Sequence, residues 1–286
     1  MAVTIASPGR VQSGNAARQV VYRTQGRGHG PITRLMSPGD LGELLKPFVF
    51  LDLFDVEPAD GPGFPAHPHS GIATLTTLLA GGMTYADSTG KSGVLKAGAV
   101  EWMRAGGGIW HMGAPVPGGP MRGYQLWLAL PAALELSPPE SFYIDPGEVP
   151  RVGPARVVLG NYQGVSSPIP LPVAITYLHV RLSDGEGWVF QPEAGHEVAF
   201  LAVNAGRLLA GGVTLAREIA VFAEGGAAIE VVAEGEAEFV IGAAVKHPHE
   251  LVTGYYSVHT RAAALAQGER QIAALARTPQ VAALRG

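Results

Sequence analysis

Three of the nine histidines in this 286-residue chain fall where they could act together. His67 and His69 flank a proline in the stretch FPAHPHSG. On an extended backbone, residues two apart point to the same face, so both imidazoles converge on one side of a strand. His111 follows after several short strands separated by glycine-marked turns, which lets the chain fold back and deliver it to the same place. Three neutral imidazoles can hold one face of a metal ion and leave its other positions open. Iron, nickel, copper and zinc all accept such ligands. Outside that arrangement a His-Pro-His is a surface or core feature, so the elements around it decide between the two.

Those elements read as strands. Lys46 to Phe54, KPFVFLDLF, is an apolar run of strand length. Asp52 interrupts it, and a carboxylate buried there needs a partner. Ile72 to Leu79 supplies β-branched residues, Gly81 and Gly82 make a turn, and Met83 to Asp87 returns. Gly106, Gly107 and Gly108 allow a tight approach just before His111. Glu101 lies on the strand before that turn; it is either a paired strand carboxylate or a group reaching toward the metal. Tyr124 to Leu130 is another buried strand. The GKS in Ser88 to Gly93 lacks the first glycine and the following helix of a phosphate loop, and QGRGHG lacks the context of a dinucleotide site. The latter reads as a flexible turn, with His29 as a solvated loop residue.

Several of these stretches carry a resemblance. HPHSG, the LLAGG turn, DSTGKSG, AGAVEWMRAGGGIWHM and YQLWLALP are similar to the pirin family, a bicupin group of the cupin superfamily. The likeness is dense from about Arg34 to Tyr143, thins afterwards and returns at KHPHELVTGYYSVHT. It implies an all-β bicupin fold: two antiparallel β-sandwich barrels face to face, with a C-terminal helix. It also implies a single divalent metal, usually iron, in the first barrel, with nickel, manganese, copper or zinc as alternatives. The family's three histidine ligands fall on His67, His69 and His111. Its glutamate ligand falls on Gly113, and the acidic position after the first histidine pair falls on Ala73 and Thr74. The resemblance places Asp52 near the metal and Gln125 on the metal cavity, where an amide can hydrogen-bond a water or substrate. The alternatives are a satisfied strand-end carboxylate and a cross-strand structural amide.

The expected division is 1–135 for the metal-carrying barrel, 136–172 for a proline-rich connection, and 173–286 for a second barrel and the helix. Val20 to Tyr22 is expected at a sheet edge after a loose arm over residues 1 to about 20. In the second half, His179, His196 and the pair His247 and His249 form no evident ligand set; HPHE is read as structural. Thr260 is expected to cap a helix reaching about Arg277, with Leu265, Ile272 and Leu275 on its buried face and a break or fraying at Gly268.

Composition bounds the rest. Hydrophobic residues make up 47% and charged residues 15%, enough for a sizeable core and unlike a disordered chain. Gly 39 and Pro 23 suit many short strands and turns. A formal charge of −4 and a pI near 6.1 give no electrostatic case for nucleic acid. The absence of cysteine excludes disulfides, thiolate nucleophiles and zinc–thiolate sites. No signal peptide or membrane span is read, so the expected location is the cytoplasm. The resemblance implies one of three roles. The first is a dioxygenase acting on quercetin-like flavonols or related chelating aromatics with O2. The second is a metal-dependent or redox-sensing regulator working through a protein partner. The third is a degenerate relative whose metal role has lapsed.

Overall fold

The computed structural model describes residues 18–57, 63–117, 119–171 and 173–285. Most of the arm expected over residues 1 to about 20 lies outside these. At the first described residue, the Arg18 side chain is buried and donates to the backbone carbonyls of Ala223 and Glu197.

A seven-stranded antiparallel sheet organises the first half. In spatial order its strands are Glu140–Ile144, Val100–Arg104, Ile72–Ala80, Met121–Ala129, Phe48–Val56, Ile32–Met36 and Arg27–His29. Facing it is a four-stranded sheet ordered Phe64–His69, Ile109–Pro115, Gly82–Asp87 and Ser92–Lys96. The second half is a ten-stranded sheet built on two long strands, Val198–Ala210 and Ile229–Ala244. Register shifts between Val203 and Arg207, with Gly206 at φ +74 and Gly235 at φ +82, mark where these long strands bend. Extra residues and glycines of this kind turn a strand without ending its pairing. One sheet can thereby wrap its own core, which includes Phe190, Phe239 and Leu201. The sheets are sandwich-like rather than closed barrels, so the expected all-β bicupin arrangement stands with that correction.

Among the described residues, Val20–Thr24 pairs with Ile219–Phe222 and forms the edge of the ten-stranded sheet. Within 136–172, Glu140–Ile144 joins the seven-stranded sheet and Ala155–Tyr162 joins the ten-stranded one. The turn expected at QGRGHG is a hairpin, Arg27–His29 pairing with Ile32–Met36, and His29 is exposed.

The seven-stranded sheet is covered on both faces. Leu51, Leu53, Leu75, Trp102, Tyr124 and Leu126 pack with Tyr177, Phe200 and Val240 of the second half in the largest core, where Phe48 meets Phe200 edge-on at 5.0 Å. Antiparallel strands usually alternate apolar and polar because one face meets water. Here one face packs on the second half and the other faces the four-stranded sheet across a cavity, which explains why KPFVFLDLF reads as an almost unbroken apolar run. Burying a leucine stabilises by about 2 kcal/mol, so this shared core holds the halves together.

The C-terminal helix differs from its expected form in its cap, its end, its continuity at Gly268 and its buried positions. It spans Ala262–Leu275 with Arg261 at the N-cap, and a second helix follows at Pro279–Arg285. Thr260 does not cap it, because its hydroxyl donates to the Glu135 carboxylate at 3.0 Å. Gly268 does not break the helix. It lets the helix approach the strand below: a Cβ there would sit 2.4 Å from Ser70 Oγ and 2.7 Å from His259 Nε2. Leu265, Ile272 and Leu275 are half-buried, while Ala264 and Gly268 are the buried positions. Among the described residues, no helix is long and apolar enough to cross a membrane.

Candidate metal centre

The strand register brings the three histidines together. His111 lies directly opposite His67 across the pair formed by Ile109–Pro115 and Phe64–His69, and His69 follows two residues on. The ligand-type atoms of His67, His69 and His111 all lie within 4.8 Å of one another. His67 Nε2 and His111 Nε2 are 3.0 Å apart. The opposite ring nitrogens are held from outside: His67 Nδ1 lies 2.8 Å from the Pro65 carbonyl, and His69 Nδ1 lies 3.2 Å from the Tyr256 carbonyl. A carbonyl can only accept, so each Nδ1 carries the proton and each Nε2 offers a lone pair to the centre. His69 Nε2 is buried and has no hydrogen-bond partner. An inward lone pair without a donor, beside the Nε2 atoms of His67 and His111, is a donor set suited to a divalent cation.

Burial holds two of these rings neutral. It pushes His67 down to about 3, helped by electrostatic repulsion from His111 and opposed by the Pro65 carbonyl. His69 is held well below the ordinary histidine value, again chiefly by burial and then by His67 and His111. Neutral imidazole is the form that binds metal.

The histidines line a cavity of about 450 Å³ between the two sheets of the first half. Its floor is one cross-strand row: Glu101, Thr76, Gln125, Asp52 and Arg34 are consecutive partners across five strands of the seven-stranded sheet. Asp52 is buried and takes a two-pronged pair from Arg34 at 2.5 and 3.0 Å. Burial raises its carboxyl above the usual value, and Arg34 offsets part of that rise. Gln125 lies 2.9 Å from Thr76 Oγ1, and Thr76 Oγ1 lies 2.8 Å from Glu101 Oε2. Gln125 and Asp52 therefore both face the cavity with the histidines, and no contact of either with a histidine ring is seen.

Aromatic groups form the walls. Phe50 stacks on Trp127 at 4.0 Å, Trp127 meets His69 edge-on at 4.9 Å, and the Arg34 guanidinium lies 4.0 Å above Phe50. The rim comes from far along the chain: Thr253 to Tyr256, with the Tyr256 ring 5.9 Å from that of His67 and Tyr255 86% exposed. Gly113 lines the cavity too, and a Cβ on it would meet Met83 Sδ at 3.0 Å.

Sequence reading did not foresee the rim, the Thr76 link or Arg34 as the partner of Asp52. The need for a partner was visible in the apolar run, but its identity lies in the register. His247 has both ring nitrogens engaged, Nε2 with the Leu130 carbonyl at 3.2 Å and Nδ1 with the His249 N–H at 3.3 Å, so HPHE is structural. His179 contacts Glu238 at 3.0 Å. A Ser-His-Glu arrangement absent from the linear sequence does exist. Ser70 Oγ lies 3.0 Å from His259 Nε2, and His259 Nδ1 lies 3.3 Å from Glu135. All three are fully buried beneath Gly268, so no substrate reaches them; they fasten the C-terminal helix to the strand that carries His69.

A double-sandwich β fold with a three-histidine cavity in one half defines a cupin-type protein with a candidate mononuclear metal centre. The family model for Pirin matches residues 30–128. A pirin-like protein of Caulobacter vibrioides is 36% identical over 187 residues, 62% of this chain and 67% of that one. The chain belongs to the pirin family. A Pseudomonas aeruginosa protein provisionally named quercetin 2,3-dioxygenase is 44% identical over 124 residues, 42% of this chain and 43% of that one. The fold is similar to that of quercetin 2,3-dioxygenase from Acinetobacter baumannii, with a TM-score of 0.83 at 23% identity over 90% of this chain and 96% of that one.

Proposed function

We propose that this protein is a mononuclear-metal dioxygenase for flat, chelating aromatic substrates of the flavonol type. His67, His69 and His111 would hold one divalent ion, iron first, with nickel, manganese, copper or zinc as alternatives. The observation that carries the reading is the convergence of three imidazoles, two of them anchored from outside, on one open, aromatic-walled cavity. When bound, the metal would supply Lewis-acid polarisation of a chelating substrate and redox chemistry toward O2.

The chain's own groups do the rest. The Phe50–Trp127 stack offers a flat apolar surface to an aromatic ring, and the volume lies in the range of small-molecule sites. Gln125 and Thr76 hold polar edges of the substrate on the floor, and Asp52 keeps Arg34 against Phe50. The Tyr256 segment narrows the entrance and limits water. The division at 1–135, 136–172 and 173–286 belongs to the same proposal, with the first part supplying the ligands. So does a cytoplasmic setting, which cell fractionation would test.

Metal analysis of protein purified without added metal should find about one ion per chain. His67→Ala and His111→Ala should lose it while keeping a native circular-dichroism spectrum. Equal metal content in both variants would overturn the ligand assignment. Anaerobic quercetin should shift its absorption only with metal-loaded protein and be consumed when oxygen enters. Metal binding without turnover of flavonols or catechols would favour the regulatory reading, for which exposed Tyr255 at the cavity rim offers a partner contact.

A further inference from the structure

We propose that Glu101 is the carboxylate of this metal centre, acting through His111 rather than on the ion. This rests on the metal-binding reading above. His111 presents Nε2 to His67 at 3.0 Å, which turns Nδ1 away from the cluster. On that far side stands Glu101, with Oε1 3.8 Å from His111 Nδ1. Glu101 is not among the groups whose ligand atoms lie within 4.8 Å of one another, so it stands behind the histidine, not beside the ion.

Glu101 is 2% exposed. Its Oε2 accepts from Thr76, but its Oε1 is buried with no hydrogen-bond partner. An unpaired buried carboxylate oxygen is costly unless a donor faces it, and the His111 N–H is that donor once the pair closes by about 1 Å. The other two histidines already have a backbone carbonyl at Nδ1; His111 has this carboxylate instead. The rival acid, Asp87, lies directly opposite His111 in the strand register. It is saturated by the Thr89 N–H and hydroxyl at 2.8 and 2.5 Å, Ser141 at 2.9 Å and Tyr143 at 2.8 Å.

The floor row keeps Glu101 in place. A hydroxyl has one proton, so Thr76 cannot donate to both Glu101 and Gln125. Giving it to Glu101, and turning the Gln125 amide so that its N–H donates to Thr76, also pairs the buried Gln125 Nε2 that otherwise lacks a partner. Gln125 thus positions Thr76, Thr76 positions Glu101, and Glu101 takes the His111 Nδ1–H when Nε2 turns to the ion. A carboxylate behind a ligating imidazole raises its basicity and returns negative charge to a set of three neutral ligands. Gly113 can do neither.

The test is Glu101→Gln, which preserves shape and the Thr76 contact. Zinc would be titrated into chelator-stripped protein against a competing chelator. Wild type should bind one zinc, and the variant should bind about 10–100-fold more weakly, the range for such outer partners. In zinc-loaded protein, proton–nitrogen-15 spectra should show a downfield, slowly exchanging His111 Nδ1–H in wild type that moves upfield and exchanges faster in the variant. Zinc affinity within twofold of wild type, with an unchanged His111 Nδ1–H signal, would overturn the role of Glu101 and leave the three-histidine site standing. No zinc binding by wild type would bring down the metal reading and this one with it. Should the variant not fold, an upfield, fast-exchanging His111 Nδ1–H in zinc-loaded wild type overturns the proposal by itself.

Discussion

Gly113→Glu tests the cavity from its open side. The residue is two positions beyond His111, lines the cavity and has no left-handed φ, so a side chain enters without backbone strain. The new Cβ would stand 3.0 Å from Met83 Sδ, 3.4 Å from its Cγ and 3.6 Å from its Cε. A thioether moves readily, and an off-rotamer shift costs about 1 kcal/mol. Against this stands the attraction of a carboxylate for a divalent ion. Unit charges 4 Å apart at an effective dielectric constant of 20 interact by about 4 kcal/mol, hence about 8 kcal/mol for a doubly charged ion. Desolvating the carboxylate returns several kcal/mol of that. With the Met83 shift included, a net gain of roughly 1.5–3 kcal/mol remains, about 10–100-fold in affinity. Anaerobic Fe²⁺ titration against a chromophoric chelator would measure it, with circular dichroism as the check on folding. Substrate turnover should slow if the added carboxylate takes a position the substrate uses. Equal or weaker iron binding by a folded variant would show that side chains at position 113 do not reach the ion, and would refute the reasoning.

Gly268→Ala should destabilise by about 1–2 kcal/mol despite the better helix propensity of alanine, because the methyl meets Ser70 and His259, both fixed by hydrogen bonds. A rise in melting temperature would contradict the close-approach account. Arg34→Ala leaves the buried Asp52 without its cation. Because the Arg34 side chain is 34% exposed, the loss should be about 1–3 kcal/mol rather than the full cost of breaking a buried pair. That loss should shrink at pH 5 relative to pH 7.5, since Asp52 then gains a proton more readily in the folded state. Metal-free protein should lose stability as pH falls below about 6.5. His67, with its folded value near 3, stays neutral while the unfolded chain takes up a proton, a difference of about 1.4 kcal/mol per pH unit that continues until about pH 3. Urea midpoints at pH 7.5 and 5.0 read this directly, and equal midpoints would refute it.

What could be read from the residues follows a physical divide. The convergence of His67 and His69 follows from the two-residue period of a strand, and His111 from the glycine turns that return the chain. Long-range register has no comparable local signal. Glu101 was visible as a strand carboxylate, yet its facing toward His111 depends on which strands pair and in which phase. Arg34 reaches Asp52 through the same register, and the Tyr256 rim arrives from far along the chain. Thr260 has the right chemistry for a cap, but a buried carboxylate, Glu135, competes for its hydroxyl. Gly268 reads as a helix defect because propensity alone is silent about the strand beneath it. Open sandwiches rather than barrels result from how sheet edges meet, which strand spacing does not encode.

The doubly covered seven-stranded sheet has a consequence for how this sequence can change over time. Along Phe48–Val56, Ile72–Ala80 and Met121–Ala129, neighbouring positions answer to different demands, one toward the cavity and the next toward the second half. A one-residue insertion or deletion inside any of these strands would exchange the two sets at once, sending Asp52, Thr76 or Gln125 into an apolar interface and leucines into the cavity. Such strands can drift residue by residue but cannot slip. A scan of single-codon insertions should therefore find these three segments intolerant as blocks, in contrast to the exposed turns at Gly90 and Gly153, where length is free to vary.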